Sequence, residues 1–204
     1  VPPDRLDAFR RHLEQISYET ARAGRIVSDL LAFSRRTSPQ RAPAHLTAAV
    51  ERAVGLVRHL GERETVRLVT ELAPDLPFVS CDRSQIEQVI VNLVLNALEA
   101  IEDAGTIVLR TGVETETDSA ILQVEDDGPG IAEEHLGHIF DPFFSTKQGE
   151  KGVGLGLAVV YGIVEAHDGR LSVTSRVGAG TTFTVRLPMQ SRPKSDDAPE
   201  EESS

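Results

Sequence analysis

The helix predicted at residues 83–102 restricts the possible folds more than any other segment. Its middle is almost entirely apolar, so most of its surface must be buried in a larger core. Asn92 and Asn96 interrupt the apolar run, and their spacing of four places both side chains on one helix face. A buried amide is costly unless it is hydrogen-bonded. Each amide therefore either bonds another part of the core or faces a ligand, and a glycine-rich segment further along the chain favours the ligand.

The segments around this helix alternate between helical and extended patterns. Helical periodicity recurs at 46–60 and 153–167. Strands are predicted at 66–72, 106–111, 120–125, 170–175 and 181–187. Glycine-containing turn signals separate the last two strands and favour a hairpin. We therefore predict an α+β fold, a two-layer α/β sandwich with a mixed sheet covered by helices on one face, preceded by a long N-terminal helix.

Changes in composition divide the chain into four parts. Residues 1–36 carry apolar or small residues in alternating steps of four and three, the seam of a coiled coil or bundle, so this helix needs partner helices or the rest of this chain. Residues 37–45 contain two proline breaks and are assigned to a linker. Residues 46–189 form the main domain. Residues 190–204 are rich in proline, serine and acidic residues and are predicted to be a disordered acidic tail.

Charge and cysteine content disfavour several classes of protein. The chain has 21 basic and 32 acidic residues, a formal net charge of −11, which argues against nucleic-acid binding. Cys81 is the single cysteine, so no internal disulfide can form. No apolar run approaches the roughly 20 residues that span a bilayer. We expect contact with a membrane only through absent parts of a parent protein.

A predicted strand ends in two acids and a Gly-Pro-Gly turn at residues 125–130. Such a turn with a solvated acid pair needs no ligand to explain it. Alternatively, one acid faces a cavity at the strand end and accepts a hydrogen bond from an exocyclic amine. The glycines would then let the backbone approach a flat ring closely.

Residues 140–151 combine three phenylalanines with a polar, glycine-containing loop. One interpretation is a small satellite core under a loop. The other is a hinged lid with an apolar base, whose lysines, Lys147 and Lys151, reach phosphates.

Glycines at alternate positions, Gly152, Gly154 and Gly156, open the predicted helix that follows. The free N–H groups and partial positive charge of a helix N-terminus suit phosphate. A Walker loop would end in Gly-Lys-Ser/Thr, and a dinucleotide fingerprint would directly follow a strand. Neither pattern is present, which indicates a phosphate-binding loop of a third kind.

These four motifs are followed by Gly178-x-Gly180-Thr181-x-Phe183. Each is weak alone, but five in this order resemble the catalytic, ATP-binding domain of sensor histidine kinases, within the wider family of gyrase, Hsp90 and MutL-type ATPases. The similarity covers about residues 46–187. Residues 19–35 resemble the second helix of that family's dimerisation and phosphotransfer hairpin.

The resemblance implies roles for individual residues. Asn96 would ligate Mg²⁺, Asn92 would be its polar and catalytic partner one turn earlier, and Asp126 would read the adenine amino group. Lys147, in the lid, would act in catalysis. The remaining residues of the implied ATP pocket are Gly128, Gly130, Lys151, Gly152, Gly154, Gly156, Leu157 and Thr181.

Two departures from the family pattern bear on activity. The hydrolysing members carry a glutamate as general base where this chain has Asn92, and an amide cannot take a proton at neutral pH. Slow attack by water and phosphoryl transfer to a side chain are therefore expected. The family's acceptor motif, similar to His-Glu-Leu-Arg-x-Pro-Leu, is absent, and we expect surface or core positions for His12, His45, His59, His135, His138 and His167.

The resemblance therefore implies a protein histidine kinase that uses ATP and Mg²⁺. Its γ-phosphoryl group would pass to a histidine outside this chain and then to the receiver domain of a response regulator. The intact protein would be a homodimer through the N-terminal helix, and cytoplasmic or the cytoplasmic part of a membrane-anchored sensor. Two alternatives stay open: a degenerate module that binds nucleotide or a partner without transfer, and a gyrase-type ATP hydrolase.

Overall fold

The computed structural model of the protein describes residues 39–61, 65–146 and 154–189, and the isolated helical positions Phe9, His12 and Gly24. The rest of the predicted N-terminal helix and the whole acidic tail lie outside the described residues. The domain boundaries drawn from the sequence therefore stay predictions. In the part of the chain that is described, no helix is both long and apolar enough to cross a membrane.

The described residues form four helices. They are α1 (Leu46–Gly61), α2 (Arg83–Ala100), α3 (Glu133–Leu136) and α4 (Gly156–Ala166). The main helix α2 starts where Asp82 caps it, since this carboxylate accepts the backbone N–H groups of Ser84 and Gln85 at 3.1 and 3.3 Å. The sequence predicted three of the four helices, and the one-turn helix α3 was missed.

A five-stranded sheet has the order β2-β4-β5-β7-β6. Its strands are β2 (Val66–Glu71), β4 (Gly105–Glu114), β5 (Ser119–Asp126), β6 (Arg170–Arg176) and β7 (Gly180–Pro188). Strands β2 and β4 are parallel and the other pairs antiparallel, so the sheet is mixed as predicted. The parallel pair needs a crossover connection, and α2 lies in that connection. The predicted terminal hairpin is the antiparallel pair β6–β7.

A second, two-stranded sheet was not predicted. Strand β1 (Ala42–Ala44) pairs antiparallel with β3 (Val79–Cys81). Strand β1 lies inside the segment 37–45 that the sequence assigns to a linker. Three residues that include a proline give almost no strand signal, and proline is tolerated here because β1 is a short edge strand.

Helices α1 and α4 both pack against α2. The core lies between these helices and the sheet. Alternate residues of β5 point to the helices: Ala120, Leu122 and Val124 are 0–1% exposed. Asp126 continues this alternation at the last position of the strand and is also buried. The strand therefore aims a carboxylate at the helix layer, where a core residue would normally follow.

The β6–β7 turn provides a test of this packing. Gly178 and Gly180 have φ angles of +77° and +93°, which an L-residue adopts at a cost of about 1–2 kcal/mol. A Cβ on Gly178 meets nothing within 4 Å, whereas one on Gly180 would lie 1.9 Å from the carbonyl oxygen of Asp126. We expect Gly178→Ala to lower the free energy of unfolding by about 1–2 kcal/mol, and Gly180→Ala by about 1–3 kcal/mol more because β5 must shift. Equal losses in urea denaturation would contradict this contact.

Candidate nucleotide site

The site-residue predictions converge on the C-terminal half of α2. Asn92 and Asn96 face the start of α4, where a Cβ placed on Gly156 would lie 3.9 Å from both amide atoms of Asn96. One turn further along α2, Ala100 lies beside the turn that follows β5, where a Cβ on Gly128 would be 3.6 Å from the Ala100 Cβ. Helix α2 thus connects an amide-lined half of the site to a half that contains Asp126.

The two amides of α2 have different partners. The Asn92 side chain donates a hydrogen bond to the carbonyl oxygen of Gly156 at 3.4 Å, which ties α2 to α4. The Nδ2 atom of Asn96 is buried and has no hydrogen-bond partner among the described residues. A buried, unpaired amide is costly. The Asn92 amide therefore has a hydrogen-bond partner within the protein, as expected of an amide in the core. The Asn96 amide nitrogen has none among the described residues and could bond a ligand.

The start of α4 is suited to an anion. Leu155, at the N-cap, makes no side-chain capping bond, and the first turn contains no acidic residue. The first N–H groups of a helix have no partner within the helix, and they carry part of its positive macrodipole. With α4 beginning at Gly156, these donors lie next to Asn96. This arrangement can bind phosphate oxygens.

Asp126 is a buried carboxylate at the other half of the site. Only 6% of its surface is exposed, and it accepts the backbone N–H of Gly128 at 3.0 Å. Loss of hydration raises its pKa above the ordinary value of 3.8, a direction that the charges of Asp127 and Glu125 reinforce. Thr181, also 6% exposed, lies directly opposite it on β7.

The neighbouring acid, Asp127, has a structural role. Its carboxylate accepts the backbone N–H of Thr106 at 2.8 Å, and its own N–H donates to the Thr106 carbonyl at 3.3 Å. A Cβ on Gly105 would lie 2.4 Å from this carboxylate, so a larger residue there would displace the Asp127 side chain. Asp127 follows the last residue of β5 and its carboxylate is bonded to the start of β4, whereas Asp126 continues the buried series of β5.

The glycines after β5 allow close packing. A Cβ on Gly130 would lie 2.2 Å from the Arg176 carbonyl oxygen, and its φ is +73°. Gly178 donates its N–H to the Pro129 carbonyl at 2.8 Å. The Gly-Pro-Gly turn is therefore fixed against the β6–β7 turn, and Gly128 approaches Asp126 itself.

The ends of the loop between the phenylalanine motif and α4 lie close together. Phe143 donates its N–H to the Gly154 carbonyl at 2.9 Å, and a Cβ on Gly154 would be 2.5 Å from the Phe144 carbonyl oxygen. Phe144 packs near the rings of His135 and His138, at centroid distances of 5.8 and 5.9 Å. The loop thus starts and ends at one anchored point. Lys147, Lys151 and Gly152 lie outside the described residues, so their assignments stay predictions.

Two further residues were not singled out from the sequence. Ser175 accepts the N–H of Ile131 at 2.8 Å, and its Oγ lies 2.9 Å from the Thr181 hydroxyl, so it orients the threonine opposite Asp126. A serine within a strand gives no signal in the sequence. Leu157, predicted to line the pocket, is partly buried and packs against the core.

Comparison with known proteins gives the family. A family model described as "Histidine kinase-, DNA gyrase B-, and HSP90-like ATPase" matches residues 81–191, more than half of the chain. The chain is 34% identical over 195 residues to the C4-dicarboxylate transport sensor protein DctS of Rhodobacter capsulatus. This match covers 92% of the chain and 29% of DctS, so the chain spans less than a third of that relative.

Two solved histidine kinases have the same fold. Full-length ShkA in complex with AMPPNP is 26% identical, with a TM-score of 0.73, over 88% of this chain and 40% of ShkA. ThkA in complex with the response regulator protein TrrA is 27% identical, with a TM-score of 0.71, over 89% of this chain and 52% of ThkA.

The sheet, the helix layer and the site therefore define an ATP-binding domain with the two-layer α/β sandwich that the sequence predicted. The chain belongs to the family of histidine kinase-, DNA gyrase B- and HSP90-like ATPases, and its ATP-binding domain is of the sensor histidine kinase type. The resemblance drawn from the five motifs is confirmed.

The raised pKa of Asp126 predicts a pH-dependent stability. The folded chain holds this proton more tightly than the unfolded chain, whose carboxyl titrates near 3.8. The protonated carboxyl therefore stabilises the fold at low pH, and this contribution is lost as pH rises from about that value through the raised pKa. Relative to wild type, Asp126→Asn should gain stability from pH 4 to 7.

Urea denaturation at several pH values measures this difference. High salt is the control, because a pKa raised by burial is little screened, whereas effects of surface charge are. A difference between variant and wild type that stays constant with pH would contradict the burial of Asp126.

Proposed function

We propose that this chain is the phosphoryl-transferring part of a sensor histidine kinase. It binds ATP with Mg²⁺ and passes the γ-phosphoryl group to a histidine outside this chain. An aspartate on the receiver domain of a response regulator then takes the phosphoryl group. The observation that carries this proposal is the position of Asn96, a half-buried residue whose amide nitrogen is buried and unpaired among the described residues, beside the uncapped start of α4.

Asp126 and Thr181 supply recognition of the base. The buried carboxylate accepts hydrogen bonds and, when ionised, donates none, so it favours the exocyclic amine of adenine. Guanine has a carbonyl oxygen at the equivalent position, which an ionised carboxylate repels. Ser175 holds the Thr181 hydroxyl on the opposite strand. The turn at Gly128–Gly130 offers backbone with no Cβ in the way.

The donor set at the other half of the site fits Mg²⁺. An amide presents an oxygen or a nitrogen at one place after a half-turn of its terminal torsion, so Asn96 can offer an oxygen ligand. Mg²⁺ takes few protein ligands and completes its octahedron with waters and phosphate oxygens. In the described ranges, no cluster of three or more acidic, histidine or cysteine side chains suited to a metal occurs. The ion would neutralise charge on the transferring phosphoryl group.

The side chains that contact the start of α4 favour transfer over hydrolysis. Asn92, one turn before Asn96, donates to the Gly156 carbonyl and has no capacity to take a proton from water. A neutral imidazole needs no base in order to attack phosphorus. The chain would then act by positioning and charge neutralisation, the main contributions in phosphoryl transfer. The lid lysines Lys147 and Lys151 would add positive charge near the γ-phosphate.

The partners are proposed from the relatives. ShkA was solved with AMPPNP and ThkA with the response regulator TrrA, which supports a nucleotide and a receiver domain as partners of this chain. We propose that residues 1–36 form part of a dimeric hairpin in the intact protein, and that the chain works in the cytoplasm, where ATP and response regulators are present.

The adjacent acids provide a matched test of base recognition. Asp126→Asn should reduce the preference for ATP over GTP by about tenfold or more, because it removes a charged acceptor and adds a donor. Asp127→Asn makes the same chemical change one residue away, at a carboxylate that is bonded to the Thr106 N–H, and should leave the preference unchanged. Calorimetric titration of both nucleotides measures the two ratios. If both variants keep the wild-type ratio, the assignment of Asp126 is wrong.

Transfer is tested by supplying a phosphotransfer hairpin that carries an acceptor histidine. With γ-labelled ATP and Mg²⁺ we expect an acid-labile phosphoprotein, and little free phosphate. Asn96→Ala should lower the labelling rate about 10–100-fold, the usual effect of losing a metal-binding contact. Gln123→Ala is the control, since that amide bonds Thr184 within the sheet. Binding without label would indicate a degenerate module, and phosphate release faster than labelling would indicate a hydrolase.

A further inference from the structure

Helices α2 and α4 are joined by a hydrogen bond at each end of α4. At its start, Asn92 of α2 donates to the Gly156 carbonyl at 3.4 Å. Just past its end, the Nε2 atom of His167 accepts the backbone N–H of Asp82, the N-cap of α2, at 2.9 Å. The helices thus run in opposite directions, with the nucleotide site at one end of the pair and His167 at the other.

His167 is a buried titratable group with no part in the proposed chemistry. It is 1% exposed, and its Nδ1 atom lies 2.8 Å from the Ile163 carbonyl oxygen. A carbonyl only accepts, so Nδ1 carries the proton and Nε2 is left as the acceptor for Asp82. Both ring nitrogens are satisfied in the neutral form, one within α4 and one across to α2. The ring therefore fixes the end of α4 against the start of α2.

The segment that enters the domain is attached at the same place. Gln40 donates its backbone N–H to the Asp82 carboxylate at 3.2 Å. Arg41 donates to the Asp168 carboxylate at 2.6 Å and also to the carbonyl of Ala166, the last residue of α4. We call the group Arg41, Asp82, His167 and Asp168 the helix joint. It connects residues 39–41 to the ends of both helices that carry the site.

We propose that His167 is a positioning residue for nucleotide binding, and that Arg41 couples the entering segment to it. A helix of this length is about 16 Å long and moves as a rigid rod. Side chains on α4 such as Val160 and Val164 are buried in the core, and their apolar contacts are non-directional, so they leave the position of the helix along its axis less closely defined than a hydrogen bond does. The hydrogen bond at His167 removes that freedom and so sets where Gly156 lies relative to Asn92 and Asn96.

This inference rests on the proposed function, since it concerns the same site. A purely structural role for His167 is the competing explanation. The two differ in what is lost: a structural role lowers stability whichever hydrogen bond is removed, whereas a positioning role lowers nucleotide affinity only when the bond to Asp82 is removed.

Two amide substitutions separate these roles. The side-chain oxygen of Gln in His167→Gln can reach the place of Nε2 and accept from Asp82, while the shorter side chain in His167→Asn reaches only the place of Nδ1 and bonds Ile163. We expect His167→Asn to weaken Mg·ATP binding about fivefold, the effect of one hydrogen bond on an equilibrium constant. His167→Gln should bind within about twofold of wild type. Equal weakening in both variants, or none in His167→Asn, would overturn the proposal.

Arg41→Gln tests the coupling at a side chain that lies outside the buried core. We expect Mg·ATP affinity to fall about twofold, as befits a partly exposed ion pair. Arg52→Gln is the matched control, because Arg52 on α1 is 62% exposed and is 3.8 Å from Glu87. The double variant Arg41→Gln/His167→Asn should be no weaker than His167→Asn alone. Additive losses would show that Arg41 does not act through the joint.

A spectroscopic readout without nucleotide keeps this inference separate from the proposed function. Asn92 and Asn96 are the only asparagines of the chain, so asparagine-selective ¹⁵N labelling gives two side-chain amide groups, both in the site. The chemical shifts of these two amide groups should change in Arg41→Gln and in His167→Asn, and should stay the same in His167→Gln. The new asparagine in His167→Asn adds a third amide group to its spectrum. If they move as expected while wild type fails to bind Mg·ATP, the helix coupling holds and the nucleotide proposal fails. If wild type binds and they stay fixed in every variant, the coupling is wrong and the proposed function stands.

Discussion

The burial of α2 is the constraint on which the rest of the structure depends. This helix connects the parallel strands β2 and β4, and its apolar side, from Ile86 to Ala97, fills the space between the sheet and its flanking helices. Its first residues, such as Arg83, are exposed, whereas Asn92 and Asn96 are half-buried against the start of α4. Asn92 and Asn96 therefore need partners from α4 or from a ligand, and the start of α4 lies where it can provide one. The position of the candidate site is therefore set by the packing of α4 against α2.

The second half of the site depends on the alternation of one strand. Leu122 and Val124 point to the helices, and the next residue in that series is Asp126. The carboxylate keeps its place because Gly128 offers an N–H at close range and Gly180 lets the neighbouring strand approach. The cost of burying it appears as a raised pKa, and a bound amine is the type of partner that would offset that cost.

Much of the fold could be predicted from the sequence, because periodicity reports burial. The apolar pattern of α2 and the alternation in β5 predicted the helix layer and the sheet, and the adjacent acids at the end of β5 were recognised as a candidate site. Alternation also places Asp126 in the buried series of β5, whereas the role of Asp127 follows from its bond to Thr106. Strand β1 and the positions of Ser175 and His167 could not be predicted. Their roles come from contacts with residues distant in sequence, such as His167 with Asp82, and no local pattern records those.

An acidic chain that binds a polyphosphate must keep its own negative charge away from the anion. The whole chain has a net charge of −11, but the start of α4 has no acidic side chain in its first turn. The α2 side chains that face it, Asn92 and Asn96, are neutral amides. Asp126 lies one further turn along α2, at the half assigned to the base, where a carboxylate is an advantage. The polarity of the site therefore runs along α2, from neutral donors to a buried acid. A nucleotide, with its anionic end and its amine-bearing base, matches that polarity in one orientation only, so the proposed binding mode would also fix the end at which phosphoryl transfer would take place.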